Sequence, residues 1–128
     1  DQVRSTERVN GGVEWIEANV LSEEYSVGPN TVVVANLFLH HLDKEALLTL
    51  GTRFLGAKAL LFAEPSRSAF ALFWARLIYL FVGRVTRYDM VVSIRAGFRE
   101  GELPELLSNG FEWSETVGFF GGIRSKAE

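Results

Sequence analysis

Two adjacent histidines, His40-His41, close one apolar run, and a lone glutamate, Glu64, closes a second and is followed by Pro65. An imidazole titrates near neutral pH and is a natural base for a hydroxyl. Neighbouring residues on a turn point in different directions, so His40 and His41 do not serve one site together. Either ring is equally a packed or hydrogen-bonded structural residue. A metal centre is not expected, because these are the only two histidines and there is no cysteine. A carboxylate at a strand's carboxyl end, fixed by a rigid following residue, suits substrate or cofactor contact; the plain alternative is an ion pair with Arg67. Asn36 and Asn19 add side-chain amides that both donate and accept. Their plain alternatives are a strand cap and a strand-end turn.

Strands must place these groups. Residues 31–37 (TVVVANL) are β-branched and apolar throughout, the pattern of a parallel strand buried on both faces. Asp43 is a good N-cap for a helix carrying Leu47, Leu50 and Phe54 at helical spacing and stopped by Gly56. Residues 57–63 read as the next buried strand. Upstream, 13–21 alternates as a short strand, after a polar 1–8 that reads as the end of a helix stopped by Asn10-Gly11-Gly12. Strand–loop–strand–helix–strand is the rhythm of an α/β fold with parallel strands.

Residues 68–82 form the longest apolar stretch, too short and interrupted for a membrane span. Phe70, Phe73, Trp74, Leu77, Ile78 and Phe81 make one helical face; Ala69, Leu72, Tyr79 and Leu80 make the other apolar as well. The helix is expected to be covered on most sides and to wall a pocket for a hydrophobic molecule. Residues 83–89 read as a basic-aromatic connector in which Tyr88 and Asp89, with Arg95 beyond, are candidate substrate contacts. A short helix over 101–109 and an antiparallel hairpin of 111–119 with 122–127 close the chain.

The 128 residues amount to one domain or part of one, 48% hydrophobic and 23% charged, with ten Phe and three Trp to bury. A net charge of −3 argues against a nucleic-acid backbone binder. The absence of cysteine fits the cytoplasm, and residues 1–12 lack the apolar core of a signal peptide. Membrane contact is not expected, although Arg76, Arg84 and Arg87 flank apolar residues.

The order of these elements resembles the class I S-adenosylmethionine-dependent methyltransferases. VEWIEANVLS looks like that family's third strand, VVVANLFLHHLDKEALL its fourth strand and helix, KALLFAEPSRS its fifth strand, and LPELLSNGFEWSETVGFFGGIRSKAE its closing helix and hairpin. The resemblance implies a partial Rossmann-like methyltransferase sheet, parallel strands with a C-terminal antiparallel hairpin, and S-adenosylmethionine as cofactor. It places Asn19 and Val20 at the adenine, and Ala35, Asn36 and Leu37 at the methionine end. It leaves Glu64, Arg67, Phe70, Trp74 and Tyr88 for a small, hydrophobic acceptor methylated on oxygen or carbon. In this family a double histidine after the strand is commonly structural.

The family's first strand, its glycine-rich loop and the acid ending its second strand have no counterpart in the sequence. The family strand order 3-2-1-4-5-7-6 would leave here a 4-5-7-6 sheet, an exposed edge at 31–37, and 13–20 orphaned or paired abnormally with that edge. Another chain covering the edge is the remaining expectation. The chain is expected to be inactive alone. The rival reading is a non-catalytic α/β module that binds a partner through helix 68–82.

Overall fold

The computed structural model describes residues 4–9, 13–23, 25–107, 110–119 and 121–128. Strands β1 (Arg4–Val9) and β2 (Val13–Glu17) pair antiparallel, Arg4 opposite Glu17 and Val9 opposite Val13, as a separate two-stranded sheet. The expected helix end at 1–8 is therefore a strand over its described part. The segment lacks apolar residues at helical spacing and runs through Thr6 and Val9 to Asn10-Gly11, a dipeptide that favours hairpins. The stop assigned to Asn10-Gly11-Gly12 lies outside the described residues.

The main sheet holds β3 (Val32–Asn36), β4 (Ala59–Pro65), β5 (Trp113–Val117) and β6 (Gly122–Ala127) in the order β3-β4-β6-β5. β3 and β4 run parallel, Val32 opposite Ala59 and Asn36 opposite Ala63. β6 runs antiparallel to both β4 and β5, giving a mixed sheet that ends in the expected hairpin. The order of these four strands is the one expected from sequence. β2 pairs with β1 and not with β3, so β3 is an edge strand among the described residues.

Helix α1 (Lys44–Phe54) makes the crossover between the parallel strands, its first turn closed by Asp43, whose Oδ1 accepts from the Ala46 N–H at 2.8 Å. With α4 (Glu102–Leu106) it covers one face of the sheet, enclosing Leu39, Leu47, Leu50, Phe54, Leu60, Phe62, Leu103 and Leu107. Each such side chain contributes about 1.5–3 kcal/mol by leaving water. The opposite face is open: Val34 is 69% exposed and Val32 47%. The strand at 31–37 was expected to be buried on both faces. It alternates instead, because helices of this chain cover one face only, and a run of valines does not reveal which.

Helices α2 (Ala69–Ile78) and α3 (Arg84–Ala96) pack on each other through Ala71, Ala75 and Ile94. The stretch read as a basic-aromatic connector is thus the first half of a thirteen-residue helix. Its interior contains neither glycine nor proline, and Gly83 and Gly97 bound it. Helix α2 is also not covered on most sides, as was expected. Small Ala71 and Ala75 are buried, whereas Phe70, Phe73, Leu77 and Ile78 are exposed. Close approach explains this. A Cβ placed on Gly121 would lie 2.4 Å from the Ala71 Cβ, so only small residues let α2 settle on the β5–β6 turn. Gly121 also has φ 85°, which a side chain would strain. At the far end of α3 the Phe98 N–H donates to the Pro65 carbonyl at 2.9 Å, tying the helix pair to the end of β4.

Candidate functional site

The chemistry gathers where β3 and β4 end side by side. The Leu37 N–H donates to the Ala63 carbonyl at 2.8 Å, extending the pairing by one residue, and Leu37 then turns with φ 53°. A branched residue in the left-handed region costs about 1–2 kcal/mol. That turn leads into a 3₁₀ turn at Leu39–His41, whose leading N–H groups have no partner within the turn itself. Glu64, at the end of β4, supplies it. Its Oε1 accepts from the Phe38 N–H at 2.9 Å and the Leu39 N–H at 2.8 Å, and its Oε2 takes His40 Nδ1 at 2.7 Å.

Both members of this pair are buried, the His40 side chain 4% and the Glu64 side chain 0% exposed. A carboxylate only accepts, so Nδ1 carries the proton and Nε2 presents a lone pair whenever the ring is neutral. Among the described residues nothing bonds to Nε2. The His41 ring lies 4.0 Å from that of His40 and is more exposed. This is the carboxylate–imidazole arrangement in which an acid fixes ring and tautomer while the second nitrogen handles a proton.

A cavity of about 620 Å³ opens against this pair. Leu37, His40, His41, Glu64 and Pro65 form its floor, Trp74, Ala75 and Ile78 of α2 one wall, and Asp89, Met90, Ser93 and Ile94 of α3 the other. Its surface is mostly apolar, with polar groups gathered at the strand ends and at Asp89 and Ser93. The size is that of a small-molecule site.

Six of the candidate site residues singled out from sequence, Leu37, His40, His41, Glu64, Trp74 and Asp89, meet in this cavity. Glu64 is placed as expected, but its oxygens hold the turn and His40, not a substrate, and its partner is not Arg67. Arg67 pairs with Glu102 at 2.5 Å near the surface. Burial pushes the Glu102 carboxyl up; the Arg99 backbone N–H and the Arg67 guanidinium more than offset this, so its pKa lies below the ordinary carboxylate value. Phe70 is half exposed and stacks edge-on with Trp74 and Phe119 outside the cavity; Tyr88 is 72% exposed on the outer side of α3, and Arg95 is exposed as well.

Ala35 and Asn36 border a different hollow, a groove of about 390 Å³ on the open sheet face with Val34, Leu61, Thr116, Arg124 and Lys126. Asn19 Oδ1 accepts from the Leu21 N–H at 3.0 Å, the turn-residue alternative, and Val20 packs on the covered core. The α3 wall went unread because 84–96 has apolar residues on two faces. Met90 and Ile94, four apart and flanked by small Ser93, were the available signal. No protein-family model matches the chain, and no curated protein matches it in sequence.

Proposed function

We propose that the chain supplies the acceptor-binding half of an S-adenosylmethionine-dependent methyltransferase acting on a small, largely apolar molecule with a hydroxyl group. The observation that carries this reading is the apolar cavity at the carboxyl ends of two parallel strands, floored by a buried Glu64–His40 pair. The strand order and the closing hairpin support it. The residues named for the cofactor are divided, Leu37 lining this cavity while Asn19, Ala35 and Asn36 do not. Asn19 is occupied by its own turn, Ala35 and Asn36 line a separate groove, and no glycine-rich loop opens a strand in the sequence. The cofactor therefore needs a second segment to hold it.

The chain's own part is to bind and orient the acceptor, exclude water and take up a proton. The α2 and α3 walls bury the apolar body. His40 Nε2 accepts the hydroxyl hydrogen bond and would take the proton set free if a methyl group moved to that oxygen from the cofactor's sulfonium, whose carbon–sulfur bond breaks to leave a neutral thioether; Glu64 holds the ring and balances the charge.

Two measurements test this. Titrated with 2-naphthol and with naphthalene, the chain binds the hydroxylated molecule about tenfold tighter, the worth of one good hydrogen bond; His40→Phe removes the difference. S-adenosylmethionine alone gives no calorimetric binding. Fused behind a segment carrying a glycine-rich loop and its strand, the chain transfers a radiolabelled methyl group from it to naphthol. Naphthol bound without transfer in a fusion that binds the cofactor rejects the enzymatic reading and favours the non-catalytic module. The exposed aromatic stripe of α2 is what supports that alternative.

A further inference from the structure

The outer surface of the α2–α3 pair carries features unlike the rest of the molecule. Phe70, Phe73 and Leu77 form an exposed stripe on α2, and Val85, Tyr88 and Val92 form one on α3, at helical spacing in each case. The connector between the helices exposes Leu80 by 84% and Phe81 by 86%, close to complete for apolar side chains. Single exposed apolar residues are ordinary, but an exposed leucine–phenylalanine tip between two exposed stripes is not.

The charges beside these stripes are predominantly positive. Between Ser68 and Phe98 the sequence has four arginines, Arg76, Arg84, Arg87 and Arg95, and a single acidic residue, Asp89, in a chain whose net charge is −3. Asp89 lines the cavity at its border with the Val85–Val92 stripe, and is the one acidic group beside it on α3. Arg84 and Arg95 lie four and seven positions from Tyr88, on its side of α3, and Arg76 follows Phe73 by three. Arg76, Arg84 and Arg95 are exposed, and the Arg87 guanidinium is half-buried over the Tyr79 ring, 5.8 Å from its centre, with Nε donating to the Val82 carbonyl. No helix among the described residues is long and apolar enough to cross a membrane.

We propose that the α2–α3 tip docks on an anionic lipid surface, Leu80 and Phe81 entering the interface and the arginines meeting lipid phosphates. Aromatic and leucine side chains beside arginines match the two faces of such a boundary, apolar below and negatively charged above. Bound this way, the cavity behind α2 and α3 lies close to the lipid. The surface does not depend on the methyl-transfer reading and is tested without it.

The test is co-sedimentation of the 128-residue chain with vesicles of phosphatidylcholine and with vesicles containing one-quarter phosphatidylglycerol, at low and physiological salt. The chain binds the anionic vesicles at least tenfold more strongly than the neutral ones, and salt weakens the binding. The doubly substituted Leu80→Ser, Phe81→Ser chain loses tenfold or more, as does Arg76→Gln, Arg84→Gln, while circular dichroism shows both folded. Equal binding by either double variant overturns the proposal, as does no binding to either vesicle. A dimer in lipid-free buffer that Leu80→Ser, Phe81→Ser dissolves assigns the tip to a second copy and overturns it too.

Discussion

The α1–α4 side of the sheet and the α2–α3 pair use comparable amounts of apolar sequence and turn it in opposite directions. On the first, large side chains point inward and the exposed positions are mostly polar, Leu48 and Leu55 aside. On the second, Ala71, Ala75 and Ile94 point inward, and Phe70, Phe73, Leu77 and Tyr88 point out. The first arrangement maximises buried area and rigidity. The second gives up buried area for a close helix–turn contact at Gly121 and leaves a cavity between its helices. The scaffold and the recognition surface are thus separated within a single chain, and Glu64 sits at their junction.

Substitutions can break this contrast or sharpen it. Leu60→Ala, at the centre of the covered core, lowers unfolding stability by about 3–4 kcal/mol, read from the denaturant midpoint. Glu64→Ala strands two backbone N–H groups and a buried imidazole and costs about 3 kcal/mol. Glu64→Gln costs less, because an amide oxygen still accepts from Phe38 and Leu39. Equal losses for the two Glu64 variants would show that the charge matters more than the turn. Ile94→Ala, in the thinner α2–α3 contact, costs about 2 kcal/mol, the low end for such a truncation. Hydrogen exchange should show α3 amides opening well before those of β4.

The Arg67–Glu102 pair gives a smaller, pH-dependent effect. The folded pKa of Glu102 is depressed, so its contribution is present above the ordinary carboxylate value of 4.5 and fades as pH falls through the lower folded value. Glu102→Gln flattens the acid limb of a stability–pH curve slightly, since the pair is substantially exposed. Leu77→Ser, on the outer stripe, changes stability by under about 0.5 kcal/mol. A loss like that of Ile94→Ala would mean the stripe is structural after all.

Much of the scaffold was legible in sequence because each element there carries its own punctuation: Asp43 before α1, Pro104 in the first turn of α4, Gly121 between β5 and β6. The helix pair was harder to read. Its largest residues do not mark its buried face, since a close contact selects by smallness, and hydrophobic periodicity weights size. The site was half legible. A histidine and a glutamate at successive strand ends could be noticed, but that they bond across 24 positions depends on the parallel register of β3 and β4. Strand β1 was missed for a local reason, since a polar strand carries little periodic signal, whereas β2 was read from its alternation.

The order β3-β4-β6-β5 also bears on how the protein is made. β4 needs β6 as its second neighbour, and the register that joins Leu60 to Ala127 spans most of the main sheet's sequence. During synthesis from the N-terminus, β3, α1 and β4 emerge first as a two-stranded unit with one side of β4 unpaired. Three helices, α2, α3 and α4, and then β5 must follow before β6 can insert between β4 and β5. The central strand of the sheet is therefore completed by the last of its four strands to leave the ribosome. Folding waits on this long-range closure, and the open side of β4 is where a nascent chain is most exposed to mispairing.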